Sequence, residues 1–169
     1  MASRLENNVF NFATVAGDYA RQQFQASFSA GGFCGRQWAP RTSRWGKKFT
    51  HPVMNDTGTL SKSIEKEAKR IDIVGRRSNN TRIFRKGAYY WIYTTEKSVP
   101  TKGKRGRKTD RYKNYAAVHN TDPKFGLYTV NQYSSRRPVH RPFIGFSPKI
   151  DEHIAAHFID KIFEGFPQT

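Results

Sequence analysis

Acidic residues are scarce in this chain. Its 169 residues include 13 Asp and Glu against 30 Lys and Arg, a formal net charge of +17 at neutral pH. The acids stand mostly alone among basic neighbours, which argues against a site built from paired carboxylates. The basic excess predicts attraction to polyanions, with nucleic acid as the default. Cysteine is nearly missing: Cys34 is the single one, which excludes an intramolecular disulfide framework and offers no metal cluster. A lone thiol suits a reducing compartment. Long apolar runs are missing too. None spans a bilayer, and Met1-Ala2-Ser3-Arg4 has no signal-peptide core. The expectation is a soluble chain, made and used in the cytoplasm, with no membrane partner.

What the chain does have is aromatic residues. Apolar residues are only 36% of the chain, yet aromatics reach 14%, with thirteen Phe and eight Tyr. A few large side chains must then carry the burial, leaving a thin core and much surface for partners. The length fits one domain over 1–169, and no internal repeat or domain boundary is visible.

Periodicity orders the elements. Leu5, Val9, Phe12, Ala16, Tyr19 and Ala20 recur at helical steps, and Phe24 and Phe28 extend a neighbouring stripe, so 5–29 reads as a long helix ended by Gly31-Gly32. Its stripe suits core packing first and a subunit contact second. Residues 30–56 are punctuated by Gly and Pro and read as an irregular loop. Trp38 and Trp45 within it are either anchors folded back on the domain or candidate subunit-interface residues. Asp56 or Thr57 would cap a short helix carrying Leu60 and Ile64. Strands are expected at 70–74, 81–86, 88–95, 115–120 and 125–130, with Gly87 as a bulge or tight turn between two of them. Each proline in 136–142 biases its predecessor away from helix, so this segment reads as extended. Ser147 as N-cap, Pro148 at the first helical position and Asp151 near the positive dipole end mark a last helix at 148–164. The sum is α+β: an antiparallel sheet packed by a long N-terminal helix and a C-terminal helix.

Four short motifs occur in a fixed order: Trp38-Ala39-Pro40; Asp56-Thr57-Gly58-Thr59-Leu60-Ser61-Lys62-Ser63-Ile64; Tyr115-Ala116-Ala117-Val118-His119-Asn120; and Arg141-Pro142-Phe143-Ile144-Gly145-Phe146-Ser147. Together they resemble the tail-completion, or virion morphogenesis, proteins of tailed bacteriophages, over roughly residues 5–163. The chain departs from that pattern after His119-Asn120, where it runs Thr121-Asp122-Pro123, and in its lysine-rich segment before Tyr115. The resemblance implies a non-enzymatic virion subunit at the head–tail junction, assembled in the host cytoplasm. It implies a homo-oligomeric ring, commonly a hexamer, that contacts the tail tube and neck or connector proteins, with genomic DNA passing through the lumen. It also implies structural roles for Thr57, Gly58, Leu60, Ile64, Tyr115, Ala116, His119, Asn120, Arg141, Pro142 and Phe143.

Catalytic signatures are wanting. No phosphate-binding loop and no serine or cysteine nucleophile motif occurs. His119-Asn120 lacks the further His or Asp ligands of a metal-dependent nuclease. His153 and His157 lie four apart on one helix without a third ligand, and read as solvated histidines. No cofactor or metal is implied. Residues 97–113 form a basic, glycine-punctuated loop, expected to be extended and mobile. Lys102, Lys104, Arg105, Arg107 and Lys108 there, and Arg136 and Arg137 beyond it, are candidate contacts for DNA or for an acidic protein surface, or merely a solvated elaboration. Fixed docking on a protein is favoured, because DNA must slide past during ejection. The rival to the virion reading is a basic nucleic-acid-binding module unrelated to virions.

Overall fold

The computed structural model describes residues 2–41, 46–77, 81–95, 99–102, 108–113, 115–120 and 139–167. In chain order these form helix α1 (Ala2–Ala30), strands β1 (Gly32–Phe33) and β2 (Arg36–Gln37), a 3-10 turn (Gly46–Lys48) and helix α2 (Thr59–Lys62). Strands β3 (Ile64–Arg77), β4 (Thr81–Thr94), β5 (Val99–Lys102) and β6 (Lys108–Lys113) follow, then helices α3 (Tyr115–Asn120) and α4 (Pro148–Phe158) and a 3-10 turn (Ile159–Phe163). The architecture is α+β, with a long N-terminal helix, a C-terminal helix and small antiparallel sheets. The described strands pair as three two-stranded sheets, β1 with β2, β3 with β4 and β5 with β6, rather than as the single larger sheet expected. Only three residues link β3 to β4, which permits an antiparallel hairpin and not a parallel crossover.

The chain divides into two compact units, and each is discontinuous in sequence. One comprises Met1–Gln23, Glu65–Tyr93 and Ser147–Thr169; the other comprises Phe24–Ile64 and Thr94–Phe146.

In the first unit, α1 turns a face of small residues toward the hairpin. Ala13, Ala16, Gly17 and Ala20 are buried, and their three- and four-residue spacing sets them on one side of the helix. The larger residues of the expected stripe are less buried: Phe12 and Tyr19 are partly exposed, and Leu5 is exposed. The small face lets strand β4 come close, and a Cβ on Gly17 would lie 2.9 Å from Tyr90 Cβ and 3.1 Å from its Cγ. Long polar side chains flank the contact. Lys66 Nζ on β3 donates to Asp18 Oδ2 at 2.7 Å and to the Thr14 carbonyl at 3.2 Å. The Arg70 guanidinium lies 4.8 Å from the centre of the Phe10 ring. At the helix start, Arg4 donates to the Gly165 carbonyl, and Asn8 to the carbonyls of Ile162 and Glu164. α4 begins as its sequence predicts: Ser147 Oγ accepts from the Ile150 amide, and Pro148 opens the helix. Ile150 and Ile154 supply its buried face.

Several local expectations give way. Residues 115–120 form a helix, not a strand. Strand β3 begins at Ile64, well before the expected 70, so Ile64 is buried at a strand start rather than on a helix face. Gly87 does not turn the chain: β4 runs through it, and nothing lies within 4 Å of where its Cβ would be. The N-cap of α2 is Gly58, at φ 73°, with no side-chain cap, where Asp56 or Thr57 was expected. The positive φ explains it, since a left-handed backbone favours glycine over an L side chain. Strand 125–130 lies outside the described residues.

A glycine-to-alanine change inside a helix ordinarily stabilises by about 1 kcal/mol. At Gly17 the added methyl meets the root of Tyr90, which is tied to the β4 backbone. Gly17→Ala is therefore expected to lower stability, by about 1–3 kcal/mol as in other overpacked cores. Urea denaturation followed by circular dichroism checks both sign and size.

Candidate functional site

The second unit contains a junction where three of the four motifs meet. The tail of α1 supplies its floor. Phe28 lies 5.3 Å from Trp38 and 5.3 Å from Phe143, ring centre to ring centre, and all three are buried. Trp38 gets there because the chain reverses tightly after α1: β1 pairs with β2, and the Trp38 amide donates to the Gly31 carbonyl at 2.9 Å. Gly32 is required in that turn, where a Cβ would lie 2.4 Å from the Arg36 carbonyl oxygen.

The segment 141–144 lies outside any helix or strand, so its backbone groups need partners from elsewhere. Trp38 Nε1 donates to the Pro142 carbonyl at 2.8 Å. Asn120 Oδ1 accepts from the amides of Phe143, at 2.9 Å, and Ile144, at 3.0 Å. The Arg141 amide donates to the His119 carbonyl at 2.9 Å. In return, the Arg141 side chain reaches back to the first motif: Nε donates to the Ala39 carbonyl at 3.0 Å and an Nη to that of Pro40 at 3.4 Å. Arg141 is 8% exposed, so these carbonyls take the place of water around a nearly buried guanidinium. Burial, and then the charge of Arg41, pull its pKa down from the usual arginine range.

His119 stands beside this arginine. Burial first, and the Arg141 charge second, lower its pKa below the ordinary 6.5, against a hydrogen bond to the Val139 backbone. Its Nδ1 is buried without a hydrogen-bond partner. A neutral imidazole tolerates that; a protonated ring does not.

The fourth motif lies in the same unit and is held to α1. Gln25 Nε2 donates to the carbonyls of Ser61 and Ile64, each at 3.3 Å. The Thr95 amide donates to the Ser63 carbonyl at 2.8 Å, and the hydroxyls of Thr57 and Thr59 share a 2.6 Å bond. Leu60 is only partly buried.

The structure thus gathers Trp38, His119, Asn120, Arg141, Pro142 and Phe143, with Ala116 buried in the same unit. Trp38 points inward and is 7% exposed, which is the anchor folded back on the domain and not the subunit-interface alternative: little of it remains to be buried by another chain. The basic segment also departs from the expected extended loop. Its described parts form an antiparallel ribbon in which Lys102 of β5 stands opposite Lys108 of β6. Trp45, Lys104, Arg105, Arg107, Arg136 and Arg137 lie outside the described residues, as do the side chains of Lys102, Lys108 and Tyr115. Sequence reasoning missed Gln25, and it missed Arg41, which donates to the His51 and Pro52 carbonyls. No motif marks either, because their partners are backbone atoms.

Chemically, the junction spends its polar groups on joining backbone segments. Among the described residues no three His, Cys, Asp or Glu side chains come together to hold a metal. Nor is any described helix long and apolar enough to cross a membrane. No protein-family model matches the chain, and no curated protein or solved structure is significantly similar to it.

Two measurements probe the junction. Asn120→Ala strands two amides and is expected to cost about 2 kcal/mol, the usual range for unsatisfied backbone donors. Asn120→Asp keeps an acceptor and should lose less; urea denaturation of the pair distinguishes them. For His119, the folded pKa lies below the unfolded one. As pH falls through about 6.5 the unfolded chain takes up a proton that the folded chain refuses. Stability is therefore full above that pH and declines below it, and His119→Gln should flatten part of the decline between pH 7.5 and 5.5.

Proposed function

We propose that this chain is a non-enzymatic structural subunit of a tailed-bacteriophage virion, forming a ring at the tail end or neck that completes the tail and joins it to the head connector. The observation that carries this reading is the convergence of three resemblance motifs on one junction. Segments 38–40 and 119–120 are each hydrogen-bonded directly to 141–144, as expected of motifs that specify a shape.

The charge pattern supports the same reading. In the β5–β6 ribbon two lysines oppose each other, an arrangement that is unfavourable without an anionic partner. Arg111 and Lys113 stand on the same ribbon. An acidic rim on a neighbouring ring protein supplies such a partner and fixes the register of two stacked rings. A heterologous ring contact leaves complementary patches on each free subunit, and the ribbon is the leading one for the contact along the tail axis. DNA in the lumen is then met by backbone electrostatics, without sequence reading.

Electron microscopy of purified virions, with this chain located in the map, tests the proposal directly. Neutralising Lys102, Lys104, Arg105, Arg107 and Lys108 together should weaken joining of heads to tails and leave tail length unchanged. Normal, infectious particles from that variant would remove the docking role. The purified chain is expected not to cut DNA with magnesium, manganese or zinc. Tight, salt-sensitive DNA binding by a chain that is absent from virions would instead favour a free nucleic-acid-binding module.

A further inference from the structure

Strand β4 shows its two faces very differently. Tyr90 faces α1, at van der Waals contact with Gly17, and Ile92 is half-buried like it. The alternate residues Tyr89, Trp91 and Tyr93 are exposed, Trp91 at 56%. A strand repeats its side-chain direction every second residue, roughly 6.6 Å apart, so the three rings form a ladder on one face. Tyr89 and Trp91 stand 6.5 Å apart, centre to centre, and tilted by 47°, so neither ring covers the other. Among the described side chains of β3, Glu67 pairs with Lys69 at 3.3 Å and Glu65 with Arg21 at 3.9 Å, so neither carboxylate stands alone.

The sequence of the same hairpin is also basic. Toward the other end of the same two strands stand Arg76, Arg77, Arg82, Arg85 and Lys86, with Asp72 the only acid between 71 and 88. Three exposed π-faces on a pair of strands rich in Lys and Arg suit a single-stranded polyanion with flat bases: rings stack on bases, cations meet the phosphates. Duplex DNA fits poorly, because its bases are already stacked and hidden. A second copy of this chain offers this face rings but no phosphate for the basic part of the strands.

We propose that the Tyr89–Trp91–Tyr93 face of the β3–β4 hairpin binds single-stranded nucleic acid by base stacking, without sequence preference. This goes beyond the virion reading and does not depend on it.

The test uses the full chain and a fluorescein-labelled oligothymidylate of roughly ten nucleotides, within the range of known single-strand sites. Anisotropy titration gives affinity, and tryptophan emission reports the contact at Trp91. Trp91→Ala, and separately Tyr89→Ala with Tyr93→Ala, should each weaken binding by at least about fivefold, the lower end for loss of a stacked base. Circular dichroism should be unchanged, because the side chains are exposed. Trp91→Phe should retain most of the affinity. An abasic strand of equal length has the phosphates without the bases, so its binding should be weaker and indifferent to these substitutions. Equal affinity of the abasic strand, or no effect of Trp91→Ala on the oligonucleotide, would overturn the proposal and reduce the face to charge alone. If Trp91→Ala leaves oligonucleotide affinity intact but abolishes self-association in sedimentation, the occupant is a second copy and the proposal again fails. Failure of the unsubstituted chain to bind the oligonucleotide, with normal placement in virions, would sink this inference and leave the ring reading standing.

Discussion

A stretch of backbone that is neither helix nor strand must find its hydrogen bonds elsewhere, and in this protein residues 141–144 impose that constraint on their whole unit. Their solution draws in distant segments. The Trp38 indole covers one carbonyl, the Asn120 side chain takes two amides, and the His119 carbonyl takes a third. Trp38 reaches its place only because the chain reverses at Gly31-Gly32, and its ring then completes an aromatic cluster with Phe28 and Phe143. Burial and polar satisfaction are thus met by the same residues, which is economical in a chain with few apolar side chains. The arginine that anchors the return contact is held by carbonyls, and no described carboxylate pairs with it. Positive charge is therefore built into the interior as well as displayed on the surface.

What the sequence made legible follows from how local each signal is. The first helix and the last were readable because helical periodicity, a serine cap and a proline at the first turn act within a few residues of themselves. Residues 115–120 misled because Tyr115 and Val118 favour strands, whereas Ala116 and Ala117 favour helix, and tertiary contacts through His119 and Asn120 decided between them. Gly87 looked like punctuation, but a glycine in a strand interrupts it only if the backbone turns there. Gly58 was passed over as a cap because no side chain announces a left-handed backbone. In the junction, the motif residues could be named from the sequence, but not their partners, which are main-chain atoms that carry no letter code.

The two units solve packing in contrasting ways. In the first, a helix face of alanine and glycine brings a hairpin close, so that contact depends on the absence of side-chain bulk. In the second, large rings fill the space and the backbone is stitched by side-chain donors and acceptors. Both suit a chain short of aliphatic residues: one reduces the volume to be filled, the other fills it with the aromatics at hand.

The stitching has an asymmetry that bears on how such a sequence can drift. In each of these bonds one side is a particular side chain, Trp38, Asn120, Arg141 or Gln25, and the other is peptide backbone. A peptide carbonyl survives almost any change of its own side chain. Positions 39, 40, 61 and 142 can therefore vary while their bonds persist, whereas the three side chains that reach them, Arg141, Gln25 and Trp38, cannot be exchanged. Even lysine at 141 would give up the planar fork that spans two carbonyls. The junction thus writes its specification into very few letters and leaves their neighbours free, so two chains could share this architecture while agreeing at little more than scattered single residues.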